Sequence, residues 1–257
     1  MPEISLSITY VGHATTLLKL DGVRILTDPV LRRRVMHLHR LVALEGKGAD
    51  AAGRPDGILV SHLHFDHFDR RTLQKFDRGV TIVVPVGGAA RLLRRRGFTA
   101  VHGVDEGTVV RIGSVGVRAV HAQHSGHPRI SGPALGYMLE GSRSVYFAGD
   151  TDVFPQMSAL SGVDVVLLPV AGWGPRLPEG GHMNPLRAAQ ALTLLRPRIA
   201  IPIHWGTFAP VWMRHGYPMQ ISAPEEFSRL ATEIAPDVDV HVLEPGKTFT
   251  MPAAPKA

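Results

Sequence analysis

Three histidines and two aspartates crowd the nine residues "SHLHFDHFD" (61–69). Imidazole and carboxylate are the strong metal ligands available, because the chain has no cysteine and hence no thiolate ligand, disulfide or cysteine nucleophile. His62 and His64 stand two apart at the end of the apolar run "GILVSH", so in a strand their side chains point to the same side. Asp66 and His67 follow at once, in a turn that can aim them at a neighbouring point. This motif can fill at most half of each of two coordination spheres, since a zinc-like site takes about four ligands. The remaining ligands must come from elsewhere. Three later segments place candidates where an apolar strand meets a loop, a common position for functional side chains. They are "AVHAQHSGH" (119–127), "VYFAGDTD" (145–152) with Asp150, and "IAIPIHWGTF" (199–208) with His204.

This order of ligands resembles that of the metallo-β-lactamase fold hydrolases. The segments "YVGHATTLLKLDGVRILTDP", "AQHS", "YFAGDTDVF", "GHMNP" and "PIHWGTF" are similar to one branch, that of N-acyl-phosphatidylethanolamine phospholipase D and L-ascorbate-6-phosphate lactonase. The similarity runs through about residues 8–208 and is specific for fold and metal site, not for substrate. It implies one metal held by His62, His64 and His124, a second held by Asp66, His67 and His204, and Asp150 bridging both. The match at "AQH" puts His124 ahead of His121, which stays open as the ligand or as its supporting partner; His127 is a weaker rival. The implied cofactor is a pair of divalent ions. The His/Asp set suits zinc, and manganese or iron fits nearly as well.

Two metals sharing one water lower its pKa far enough to give a bridging hydroxide near neutral pH. Two divalent ions, two carboxylates and one hydroxide sum to about +1, which favours an anionic ester or phosphate. Asp66 is thus a catalytic candidate as well as a ligand. His182 in "EGGHMNP" is the other, by resemblance to the phospholipase branch, as donor of a proton to a leaving group or as a substrate contact; helix-entry structure is its alternative. Asp28 in "ILTDP" is expected to orient a ligand imidazole, as against serving only as a turn carboxylate before proline. His13 in "VGHAT" fits the same floor or a satisfied core position. Trp173 and Arg176 in "AGWGPRLPEGG" suit an organic anion, with simple packing of the indole as the alternative. Di-iron flavoproteins of this fold use a carboxylate where this chain has His64, which disfavours a redox role.

The elements that must hold these residues alternate between strand and helix. "SLSITYVG" reads as a strand, and "TTLLKLDGVRILTD" as a hairpin turning at Asp21-Gly22. Residues 31–56 read as an irregular, basic loop or lid. After the histidine turn come a helix (70–77), the strand "TIVVP", a helix (88–96) and strands at 98–102, 107–112 and 115–121. "PALGYMLEGSRSVYFAGD" reads as a hairpin; a short helix, the strand "VDVVLLPV", a helix (184–195) and the strand before His204 follow. One more helix, two short strands and a frayed tail (252–257) close the chain. The pattern supports α/β or α+β, and the resemblance selects a four-layer αββα sandwich, one domain spanning residues 1–257.

Composition sets the remaining bounds. The 257 residues are 44% hydrophobic and 19% charged, an ordinary globular balance rather than that of a disordered chain. The formal charge is +6, with arginine runs at 31–34 and 91–96 that read either as solvated faces or as a field attracting anionic substrates. No aromatic residues alternate with these arginines, which disfavours a nucleic-acid groove. A lipid substrate is open, and "VWMRHGYPM" (211–219) is the best apolar-basic lip for one, although no amphipathic anchor is evident. "MPEISLSITYVG" lacks the layout of a signal peptide, and no apolar run approaches the roughly 18 residues of a membrane span, so a soluble, cytoplasmic protein is expected. Oligomeric state leaves no trace. The functional expectation is a binuclear metal-dependent hydrolase of a small anionic phosphodiester. The runner-up is a lactonase or carboxylic-ester hydrolase of the same fold. A non-catalytic metal- or nucleic-acid-binding protein is the alternative from another class.

Overall fold

The computed structural model describes residues 4–42, 52–124, 133–172, 181–213, 215 and 218–252. Two seven-stranded sheets carry most of them. The first contains β1 (Ile4–Gly12), β2 (Thr15–Leu20), β3 (Val23–Thr27), β6 (Gly57–Leu59), β7 (Thr81–Pro85) and β8 (Val101–Val104), with β17 (Thr248–Pro252) on its outer edge beside β1. The second contains β9 (Val109–Ile112), β10 (Val115–His121), β11 (Leu135–Glu140), β12 (Ser144–Phe147), β13 (Val165–Pro169), β14 (Ile199–Ile203) and β16 (Asp239–Val240). Each sheet is part antiparallel hairpin and part parallel: β3, β6, β7 and β8 run parallel in the first, and β12, β13, β14 and β16 in the second.

The parallel strands are apolar along their whole length because both of their faces are covered. In β13, Val165 and Leu167 join the core between the sheets, while Val166 and Leu168 turn to the opposite face. That outer face is covered by the helices Pro185–Leu195 and Ala223–Ile234 and the 3₁₀ turn Pro155–Leu160. The first sheet is covered likewise by the helices Arg70–Leu73 and Gly88–Arg95, through Leu73, Ala89, Ala90 and Leu93 against Ile82 and Val84. Helix, sheet, sheet, helix is the expected four-layer order. It is the layer order that the resemblance implies.

Some expectations differ from the structure. The span 31–56 is not wholly irregular: β4 (Arg34–Val35) and β5 (Leu38–Arg40) form a hairpin that joins β15 (Phe208–Pro210) in a third sheet. Its residues Val35 and Leu38 are buried with Val30 and Phe208, and two such short strands leave no readable periodicity. Residues 43–51 of the expected lid lie outside the described residues, as do 253–257 of the expected tail, whose first residue Pro252 ends β17. The helix expected at 70–77 stops at Leu73. The Asp77 carboxylate accepts from Gly79 N at 2.7 Å, a local turn that competes with further helix. Among the described residues, no helix is long and apolar enough to cross a membrane.

Candidate metal centre

The strand ends deliver the polar residues to one edge of the sandwich. Asp28 follows β3, the 61–69 turn follows β6, His124 follows β10, Asp150 follows β12 and His204 follows β14. His13, Asp28 and His204 all have positive φ (60°, 33° and 63°), a conformation that costs non-glycine residues energy and persists where the surroundings enforce it.

Two groups of donors face each other there. In one, His62 Nε2 lies 2.9 Å from His64 Nδ1, which lies 3.2 Å from His124 Nε2. In the other, Asp66 Oδ2 lies 3.7 Å from His67 Nε2 and 4.0 Å from His204 Nε2. Asp150 touches both groups: Oδ2 is 3.1 Å from His67 Nε2 and 3.7 Å from His62 Nε2, and Oδ1 is 3.2 Å from His204 Nε2. His62, Asp66, His67, Asp150 and His204 are all buried.

The outer nitrogens of these imidazoles fix which inner nitrogen carries a lone pair. His124 Nδ1 donates to Gly181 O at 2.7 Å and His204 Nδ1 to Ala171 O at 2.8 Å, because a carbonyl can only accept. His67 Nδ1 donates to Asp28 Oδ2 at 2.7 Å. The Ser61 hydroxyl gives its proton to Asp28 Oδ2 (2.6 Å), so it can only accept from His62 Nδ1 at 3.0 Å. In their neutral forms His62, His67, His124 and His204 would all present Nε2 lone pairs inward. His67 Nε2 is buried 3.1 Å from Asp150 Oδ2, and with neither a proton nor a metal ion between them the two would meet lone pair to lone pair. That arrangement repels unless a cation lies between the groups, and it fits a metal ion.

The electrostatics agree. Burial opposes a charge on His67, but Asp150, Asp66 and Asp28 overcome it and hold its pKa well above the ordinary value. Positive charge is thus favoured at the centre of the cluster. Burial also opposes ionisation of Asp66 and Asp150; His67 and His13 around the first, and His204, His67 and His182 around the second, hold both carboxyls well below the usual range. His62 and His64 are pushed down, first by burial and then by neighbouring imidazoles, so both stay neutral as ligation requires.

Comparison with known proteins now decides the family. The Beta-lactamase superfamily domain matches residues 23–205. A UPF0173 metal-dependent hydrolase of Methanopyrus kandleri is 32% identical, over 94% of this chain and 98% of its own length. Another, of Rubrobacter xylanophilus, is 33% identical over 93% and 94%. The chain belongs to the UPF0173 metal-dependent hydrolases of the β-lactamase superfamily. Among solved structures it is similar to Igni18, a metallo hydrolase of Ignicoccus hospitalis, with a TM-score of 0.70, 25% identity and coverage of 96% and 98%.

Most residues singled out in this hydrolase by sequence are brought together. Besides the seven inner donors, His13 Nε2 donates to Asp66 Oδ2 at 3.1 Å, its pKa lowered to about 3 by burial and by His204. Asp28 holds His67 and Ser61. His182 sits at the rim, its Nδ1 3.7 Å from Asp150 Oδ2 and its ring perpendicular to that of His124; burial lowers its pKa to about 4. His121 is not brought in. It ends β10 with an exposed side chain, edge-on to Phe154 and 3.4 Å from Glu106, while the chain must run three residues further, through the Gln123–Asp152 bridge, to reach the cluster at His124. Trp173, Arg176 and His127 lie outside the described residues. Sequence reading passed over Ser61, although it directly precedes His62, and the carbonyls of Ala171 and Gly181, which carry no side-chain signal at all.

Proposed function

We propose that this hydrolase binds two divalent ions and cleaves small anionic phosphodiesters. His62, His64 and His124 would hold one ion and Asp66, His67 and His204 the other, with Asp150 shared. The observation that supports this most is the position of Asp150, whose two oxygens lie within 3.1–3.7 Å of nitrogens from both groups. When bound, such a pair supplies activated water near neutral pH and stabilises the charge of the attacked phosphate. The chain's own residues do the rest. Gly181 O, Ala171 O, Ser61 and Asp28 lock the imidazoles in the ligating tautomer, so no rotamer or proton need rearrange during turnover. His13 fixes the Asp66 carboxylate from below. His182, half-buried at the rim, would face a leaving oxygen; with its pKa lowered to about 4 by burial it is neutral near pH 7, so it would hydrogen-bond to that oxygen rather than deliver a proton. Zinc is the ion this donor set suits best, with manganese or iron next.

The test is metal-stripped protein titrated with zinc and then manganese, assayed on bis(p-nitrophenyl) phosphate. Turnover that rises to a plateau near two ions per chain supports the proposal, and D66A should abolish it. Loading with two ions that leaves the phosphodiester intact but opens lactones would replace the phosphodiester by a carboxylic ester.

A further inference from the structure

The rim of the cluster carries a cleft that the proposed reaction does not use. It lies between residues 32–36 and 65–71 and has a volume of about 370 Å³, within the range of small-molecule sites. Arg32, Arg70 and Arg71 line it, and Asp69 is its one lining carboxylate, so the lining carries three positive charges and one negative. Asp69 is already engaged. Its Oδ2 accepts from Thr72 N and Thr72 Oγ1 at 3.2 and 2.7 Å, and its Oδ1 accepts from Arg32 at 3.2 Å. Arg70 and Arg71 are exposed and, among the described residues, form no ion pair.

Both sides also contribute apolar lining. Phe65 and Met36, one from each side, are 37% and 70% exposed. Phe65 stands between His64 and Asp66 in the chain, so its Cα is about 3.8 Å from each of theirs. Beyond Phe65 the surface continues as a ladder of rings: His37 is 5.4 Å from Phe65 and stacks on Trp212 at 5.6 Å with an interplanar angle of 10°. Three segments distant in sequence thus assemble aromatic faces that remain in water, the kind of patch that marks a binding surface.

We propose that this cleft binds the part of the substrate remote from the bond that is cleaved, a flat apolar or aryl group bearing a second anion. The ring lies on Phe65 and the anion on Arg70 and Arg71, whose planar guanidinium groups match a carboxylate or phosphate. A concave site with localised charge suits a small molecule rather than a flat bilayer. Binding energy from this remote group would orient the substrate at the metal centre. The assignment rests on the hydrolase reading above, but its direct test does not need turnover.

The test is binding of naphthalene-1-sulfonate to metal-loaded protein, followed by calorimetry, because a sulfonate is a poor metal ligand. Wild type should bind it, more weakly as salt rises, and should bind the neutral naphthalene-1-sulfonamide at least about tenfold less tightly. R70Q/R71Q and F65A should each lose about tenfold while retaining the same metal content. In the phosphodiesterase assay the sulfonate should raise KM without changing kcat. Equal affinity in wild type and R70Q/R71Q would overturn the proposal. So would absence of sulfonate binding together with sedimentation on phosphatidylglycerol vesicles lost in F65A, which would make the patch a membrane surface. If the sulfonate binds as stated yet no ester is hydrolysed, the cleft stands as an aryl-anion site and the hydrolase reading of the centre fails.

Discussion

Asp28 reaches one imidazole of each donor group, His67 directly and His62 through Ser61. The two contacts are separable by mutation. S61A removes the acceptor that fixes the His62 tautomer and leaves the Asp28–His67 bond in place, so it should weaken one equivalent of zinc by roughly 10–100-fold and spare the other. D28N should weaken both, because an amide cannot accept from Ser61 and His67 as the carboxylate does. Competition titration against a chromogenic chelator reads both equivalents, and an S61A protein in which both sites weaken alike would break the relay argument. The same titration tests the choice between the two histidines after β10. H124A should lose one equivalent, and H121A, altered at an exposed position 3.4 Å from Glu106 and outside the cluster, should retain two. Loss of an equivalent in H121A would reverse that assignment.

At the scale of elements, the loop after β12 must pass against the turn after β6. Gly149 makes that approach possible: its φ is +61°, and a Cβ there would lie 2.5 Å from Ser61 Cβ. G149A combines an unfavourable backbone conformation with overpacking, and should destabilise the metal-free protein by roughly 2–4 kcal/mol. The urea midpoint checks this; an unchanged midpoint would mean that the two loops can separate freely. Such close approaches also explain what could be read in advance. The 61–69 turn, Asp150 and His204 were legible because each ends an apolar strand whose residue pattern marks where the strand stops. The hairpin of β4 and β5 was not, since two or three residues cannot display a period of two and Val35 and Leu38 are buried in a cluster with Val30 and Phe208 that only the tertiary fold assembles. Nor were the orienting carbonyls of Ala171 and Gly181, whose positions depend on how the sheets pack rather than on any side chain. His121 and His124 both looked plausible from spacing; the residues between them form the Gln123–Asp152 bridge that separates them in space.

At the scale of the molecule, neither sheet holds a complete set of donors. The first sheet supplies the 61–69 turn, and the second supplies His124, Asp150 and His204. Each donor group draws on both sheets, so an ion held by it binds only when the sheets are packed together, and its binding free energy adds to folding. At free zinc near 1,000 times its Kd, each site would contribute about 4 kcal/mol. For a chain of this size that is roughly 8–16 °C in Tm per site. The stripped protein should still fold, because the core between the sheets is built from apolar residues such as Leu18, Tyr137 and Ile201 that need no metal. Thermal unfolding with zinc and with EDTA should give a single transition each time, shifted upward by zinc in wild type and unshifted in H62A/D66A. An equal rise in that double variant would place the ion elsewhere. Two separate transitions in EDTA would mean that each sheet with its helices melts alone, with the metals rather than the shared core holding the two halves together.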